Sequence, residues 1–107
     1  MVALNPLIKA QVQKAVDTLS RRQKISAVYV FGSQVDGTAN KWSDIDVAVF
    51  MEGIEKLDIR DRARLSASAQ KAAGDDLEVH FFRRESLDHP IPASFAQFVL
   101  TTGVRID

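Results

Sequence analysis

The stretch VYVFGSQVDGTANKWSDIDVAVF, residues 28–50, decides how the chain folds and where its chemistry lies. An apolar run ends at Phe31 in the pair Gly32-Ser33; ten residues (34–43) follow, and Asp44 then opens a second apolar run reading Asp-Ile-Asp-Val-Ala-Val. Ile25 to Phe31 is rich in β-branched and aromatic residues and apolar at successive positions, as in a strand buried on both faces. The second strand is expected over Asp44 to Phe50, ended by Glu52-Gly53. Between the two, Gln34 to Lys41 is polar and contains Gly37, which predicts a short helical turn followed by a loop.

On a strand, residues two apart point to the same face, so Asp44 and Asp46 project together while Ile45, Val47 and Val49 go the other way. Their backbones lie about 6.6 Å apart, twice the rise per strand residue. Carboxylates so spaced can converge on one cation or share a pair about 3.5–4 Å apart. Mg²⁺ is the hard, oxygen-seeking ion that binds through one or two carboxylates and substrate phosphates. Two acids at the solvated end of a strand, capping a neighbouring turn, fit Asp-x-Asp equally well. Gly32-Ser33 tips the balance: glycine lets the backbone approach a ligand, and Ser33 opens the next turn with amides and a hydroxyl facing an anion. The alternative there is an ordinary strand-to-helix turn with serine as its cap. A Walker A loop is ruled out, because no Gly-Lys-Ser/Thr follows.

Outward from this centre, Asn5-Pro6 starts a helix, and Leu4, Leu7, Ile8, Val12, Ala15, Val16 and Leu19 form its apolar stripe to about Arg22. Arg21, Arg22 and Lys24 sit at its C-terminal end, where cations suit the dipole. Lys56 to Ala73 reads as a second helix, with Leu57, Ala63, Leu65, Ala67, Ala69, Ala72 and Ala73 on its apolar side and Gly74 as its stop. Its mixed-charge segment, 58–64, reads as a solvated face with local ion pairs. Leu77 to Phe82 is a third strand, with Leu77, Val79 and Phe81 on one face and Glu78, His80 and Phe82 on the other. Asp88 to Pro92 is a rigid loop. Ser94 caps a last helix carrying Phe95, Phe98 and Val99, Gly103 ends it, and Val104 to Ile106 adds an edge strand. The fold class is therefore α/β: one small mixed sheet flanked by helices, in a single domain spanning residues 1–107.

The 107 residues are 46% hydrophobic and 26% charged, with Lys plus Arg and Asp plus Glu both at 14 and a formal net charge of zero. That balance argues against a broad nucleic-acid footprint. The absence of cysteine excludes disulfides, thiolate catalysis and Cys-ligated zinc. No apolar stretch reaches the roughly 18 residues of a membrane span, and a cytosolic protein is expected. So short a chain leaves little room for substrate recognition, which a partner is expected to supply.

The Phe31-Gly32-Ser33 and Ser43-Asp44-Ile45-Asp46-Val47 segments, with their spacer, resemble the nucleotidyltransferase superfamily of the DNA polymerase β type. In length and element order the chain is most similar to the minimal nucleotidyltransferases (MNT proteins), usually paired with a HEPN-domain protein. The resemblance implies a polymerase β-like fold and Mg²⁺-dependent attack on the α-phosphate of a nucleoside triphosphate with release of pyrophosphate. Asp44 and Asp46 would hold two Mg²⁺ ions. Glu78 stands where the family carries a third carboxylate, commonly Asp, as ligand of the second ion and candidate general base. Gly32 and Ser33 would hold the terminal phosphates. It further implies an antitoxin that transfers AMP from ATP to a tyrosine of a HEPN toxin. A degenerate member that neutralises its partner by contact alone is the alternative. Asp75 and Asp76 precede the third strand and are expected to cap it. His80 shares Glu78's face and could touch the site, where a catalytic role is the alternative, but it is read as structural. Gln34 stands where relatives often have Arg, a loss that could weaken triphosphate binding unless Lys41, read first as a solvent-exposed loop lysine, supplies the charge; Trp42 could stack a base but is expected to pack under the loop. Base preference, acceptor and oligomeric state, homo- or hetero-oligomer, stay open.

Overall fold

A computed structural model describes residues 4–40 and 42–106. Asn5 and Pro6 start the first helix as the sequence predicts. In α1 (Pro6–Ser20) proline occupies the first turn, and the Asn5 side chain accepts the Leu7 amide at 2.8 Å. Val12, Ala15, Val16 and Leu19 are buried, but Leu7 is 79% exposed. At 3.6 residues per turn Leu7 lies roughly 140° around the helix from Val12, off the stripe that Ile8 continues. The helix ends at Ser20 and its last turn holds no basic residue, so Arg21, Arg22 and Lys24 lie beyond it.

The chain continues as β1 (Ile25–Phe31), α2 (Ser33–Asp36), β2 (Ile45–Met51), a 3-10 turn (Ile54–Lys56), α3 (Ile59–Ala73), β3 (Leu77–Arg83), α4 (Glu85–Asp88), α5 (Phe95–Thr102) and β4 (Val104–Arg105). The sheet order is β3-β2-β1-β4, with β1 antiparallel to both β2 and β4, and β2 parallel to β3. This is the expected small mixed sheet. A parallel pair needs a long crossover, which α3 supplies.

Several boundaries differ from expectation. β2 begins at Ile45, so Asp44 precedes the strand. α3 begins at Ile59 because Asp58 and Asp61 close a capping box: the Asp58 carboxylate accepts the Asp61 amide at 2.8 Å, and Asp61 accepts the Asp58 amide at 3.3 Å. Among the described residues Arg62 makes no ion pair of the kind expected; it donates to the carbonyls of Leu57 and Ile54 at 3.2 and 2.9 Å. Leu65 and Ala69 are the buried residues of α3, while Ala63 and Ala67 are exposed, each two residues and hence about 160° from Leu65. Ala72 is exposed near the helix end. The α4 turn was not anticipated.

The sheet has two differently covered faces. Val28, Val30, Ile45, Val47, Val49, Met51 and Leu77 pack on the buried stripes of α1 and α3. Ala27, Phe31, Ala48 and Phe50 meet Ala96 and Val99 of α5 on the other face. In α5, Ala96 and Val99 go in, while Phe95 and Phe98 stay 48% and 52% exposed. Eight residues of helix cover this face only in part, and one end of it is left open. Among the described residues no helix is long and apolar enough to cross a membrane.

The α1 stripe yields a paired expectation. Leu19→Ala should lower the unfolding free energy by about 3 kcal/mol in urea titrations, the usual cost of emptying a core leucine site. Leu7→Ala should move it by less than about 0.5 kcal/mol.

Candidate active site

The open end of the second face is where β1 finishes and β2 and β3 begin. Phe31 pairs with Asp46 across the antiparallel ladder, and Asp46 pairs with Glu78 across the parallel one. Directly paired residues share a face, so all three side chains emerge together. His80, two residues after Glu78, emerges there too. Its Nε2 lies 3.4 Å from Asp46 Oδ1 and 3.7 Å from Glu78 Oε1. The three side chains can each offer one ligand atom, all within 4.8 Å of one another. The Asp46 and His80 side chains are each 26% exposed and Glu78 is 56% exposed, so the group opens to solvent. Phe31 and Phe95 hold the imidazole, their ring centres 5.3 and 5.5 Å from its own.

Gly32 forms the wall of this group. Its φ of +77° is a conformation L side chains rarely adopt, and a Cβ there would stand 2.7 Å from Asp46 Oδ2. The backbone therefore comes as close to the carboxylate as the absence of a side chain permits. Ser33 is the first residue of α2, with Gly32 in the capping position and Gly37, at φ +86°, ending the turn. The amides of Ser33 and Gln34 have no preceding helical turn to donate into. Gln34 Nε2 donates to the Asp44 carbonyl at 3.4 Å, which ties the Gly-Ser turn to the start of β2.

The loop beyond is ordered by its own side chains. Thr38 donates to Asp36 through its hydroxyl at 2.6 Å and its amide at 3.0 Å, and these two bonds, the hydroxyl's first, hold the Asp36 carboxyl below its usual range. The Ser43 hydroxyl accepts the Asn40 amide and Asn40 Oδ1 accepts the Trp42 amide, at 2.9 and 2.8 Å.

Of the residues singled out from the sequence, Gly32, Asp46 and Glu78 are brought together, and Ser33 lies next to them in the chain. Asp44 is exposed, one residue ahead of β2, and outside the group of mutually close ligand atoms. Asp76 takes a different course: its carboxylate accepts from Gln11 Nε2 at 2.8 Å and binds β3 to α1. Trp42 is 82% exposed and does not pack under the loop. Lys41 lies outside the described residues. His80, read as structural, stands between the two carboxylates; its one sequence signal was its two-residue spacing from Glu78.

The donor set fits a divalent cation. Two carboxylates and an imidazole converge, no lysine or arginine bridges Asp46 or Glu78 among the described residues, and glycine clears the backbone from the carboxylate. A cleft of about 210 Å³ lined by Gly32, Val35, Asp36, Phe98 and Thr102 adjoins the Gly-Ser turn. Another of about 230 Å³ lies by Arg22, Leu57 and Arg64, on the α1–α3 side of the sheet and away from the acids.

Residues 13–106 match the family model described as polymerase beta, nucleotidyltransferase. The chain belongs to this nucleotidyltransferase family. Its architecture is shared by a Sulfolobus solfataricus protein assigned as a nucleotidyltransferase, 20% identical with a TM-score of 0.54, over 82% of this chain and 83% of that one. It is also similar to a toxin–antitoxin crystallised with AMP-PNP, 27% identical with a TM-score of 0.62. A mutant of the toxin–antitoxin MntA–HpeT is 25% identical with a TM-score of 0.60. Each of these two alignments covers 92% of this chain and 72% of the other. No curated protein matches the sequence significantly. The mixed sheet with its flanking helices is thus the nucleotidyltransferase fold that the Gly-Ser and Asp-Ile-Asp segments implied.

Gly32→Ala tests the close approach. The added methyl must adopt a strained backbone, at about 1–3 kcal/mol, and displace the Asp46 carboxylate. Thermal unfolding should shift down, and divalent-cation binding measured by calorimetry should weaken at least tenfold; unchanged cation binding would show that Asp46 does not need this wall.

Proposed function

We propose that this chain is an active, cytoplasmic, one-domain nucleotidyltransferase that moves a nucleoside monophosphate, AMP from ATP, onto a hydroxyl of a protein partner and thereby acts as an antitoxin. The observation that carries the reading is the strand register that sets Asp46 and Glu78 side by side against Gly32-Ser33 in a nucleotidyltransferase fold. The similarity to a toxin–antitoxin crystallised with AMP-PNP, an ATP analogue, supports an adenine nucleotide and a toxin partner. The MNT resemblance supports a HEPN toxin with a tyrosine acceptor.

In this reading Asp44, Asp46 and Glu78 hold two divalent ions, Mg²⁺ when that is the ion supplied, with Asp46 between the other two. Magnesium held there supplies positive charge to the leaving oxygens and acidifies the acceptor hydroxyl. Ser33 and the amides that open α2 seat the terminal phosphates of the nucleotide. Glu78, the most exposed of the three clustered groups, receives the hydroxyl proton and passes it to solvent. The acceptor oxygen bonds to the α-phosphorus, the bond from that phosphorus to the bridging oxygen breaks, and pyrophosphate leaves with the electron pair.

The decisive experiment incubates the protein with α-labelled ATP, Mg²⁺ and the product of the adjacent reading frame. Label should move to the partner. Asp46→Asn and Asp44→Asn should each reduce transfer by at least about 100-fold, equal to the loss of about 2.7 kcal/mol of charge stabilisation. Glu78→Gln should cost on the order of 100-fold if that carboxylate is the base. Absence of label transfer by wild type, with unchanged toxin neutralisation by the double Asp variant, would instead support neutralisation by contact.

A further inference from the structure

We propose that one of the two metal positions, formed by Asp46, Glu78 and His80, is a mixed carboxylate–imidazole site that takes a divalent transition ion, Mn²⁺ or Zn²⁺, in preference to Mg²⁺, with His80 Nε2 as its nitrogen ligand. The inference rests on reading this group as the metal centre of the proposed transferase, but not on the transfer reaction.

The first argument is distance. An imidazole that simply paired with the carboxylates would form charge-assisted hydrogen bonds of about 2.7–2.9 Å. His80 Nε2 stands back from both, at 3.4 Å from Asp46 and 3.7 Å from Glu78. Ligand atoms around a tetrahedral ion at 2.0–2.1 Å are roughly 3.4 Å apart. The nitrogen makes at most a long hydrogen bond to Asp46, and it is placed where it can share a cation with the two oxygens.

The second argument is orientation. Nε2 faces the carboxylates because the ring is flanked by Phe31, tilted at 58°, and by Phe95, edge-on at 89°. Both are packed against the sheet through the same aromatic cluster, Phe95 touching Phe82 and Phe31. The imidazole is preorganised, and little side-chain freedom remains to be lost on ligation.

The third is chemistry. Imidazole suits zinc and related transition ions, whereas Mg²⁺ calls for oxygen and sheds water reluctantly. Replacing an oxygen donor by Nε2 therefore favours the transition ion, while the position between Asp44 and Asp46 has only oxygen donors and suits Mg²⁺ brought with the nucleotide.

Calorimetric titration of the full chain with Zn²⁺, Mn²⁺ and Mg²⁺, in the absence of nucleotide and partner, tests this directly. Nitrogen and oxygen sites generally bind Zn²⁺ more tightly than Mn²⁺, so the discriminating quantity is the effect of removing the imidazole. His80→Ala should weaken Zn²⁺ and Mn²⁺ at least about 10-fold, the lower end of the loss seen even for an outer partner of a metal ligand, and leave Mg²⁺ within threefold. Equal losses for all three ions, or none, would overturn the proposal. If the variant fails to fold, wild type still decides. By NMR the His80 imidazole signals should shift and saturate at one equivalent of Zn²⁺ but not respond to Mg²⁺, with exposed His89, the other histidine of the chain, as internal reference. His80 signals unmoved by Zn²⁺ would overturn it. Because no nucleotide is present, transfer can fail while this site stands, and the reverse.

Discussion

The pairing of Asp46 with Glu78 across the parallel β2–β3 ladder holds the site together, and the same register holds the core together. In β2, Ile45, Val47 and Val49 point into the α1–α3 layer with at most 1% of their surface exposed. Asp46 lies between them on the other face. A slip of one residue would exchange the two sets and drive the carboxylate into the densest packing of the molecule. An unpaired carboxylate so buried costs far more than any single packing contact returns. Burial of the apolar set therefore selects the one register in which the acids meet, and site geometry and fold stability have a common cause.

The helices explain why that meeting point stays open. The α1–α3 side of the sheet is covered by two helices of fifteen residues each, whereas the opposite face has the eight residues of α5. Ala96 and Val99 seal α5 onto Phe31, Ala48 and Phe50, and the sheet end beyond them carries Asp46, Glu78 and His80. The Gly32 turn completes the rim, and Gln34 holds that turn to the carbonyl of Asp44. A neutral side chain thus occupies a bridging place between the Gly-Ser turn and the acid-bearing strand. Its side-chain amide reaches that backbone without adding charge.

The parts of this arrangement that were legible in the sequence depend on local, periodic signals. Strand alternation placed Asp46 and Glu78 on faces that later proved to coincide, and Asn5-Pro6 and Ser94 marked helix starts that the structure retains. What was not legible depends on partners distant in sequence. Nothing local distinguishes Ala63 from Ala69 until α3 is laid on α1. Trp42 looked too apolar to be exposed, yet the loop is held by the side chains of Asn40 and Ser43 and has no need of an indole beneath it. Asp44 was placed in the strand, but Ile45 is the first residue whose amide finds a partner across the ladder, at the Asp76 carbonyl 2.8 Å away. His80 was legible as a neighbour of Glu78 on one face of β3, but its contact with Asp46 depends on the 34-residue separation closed by β2 and β3.

The exchange of the family's commoner Asp for Glu78 takes on a physical sense once His80 is placed. Glutamate carries its carboxylate one methylene farther from the strand, and an aspartate at 78 would hold its oxygens back from an imidazole that rises from position 80 of the same strand. The longer acid and the imidazole reach a similar height above the sheet, and Glu78 Oε1 ends 3.7 Å from Nε2. Asp46 needs no such extension, because the Phe31–Asp46 pairing and the missing Cβ of Gly32 bring the backbone to it. Three side chains of different length, on two strands and beside a glycine, thereby bring their polar atoms within 4.8 Å of one another. In the proposed mixed site the reach of Glu78 matches that of His80, so that nitrogen and oxygen donors can serve the same ion.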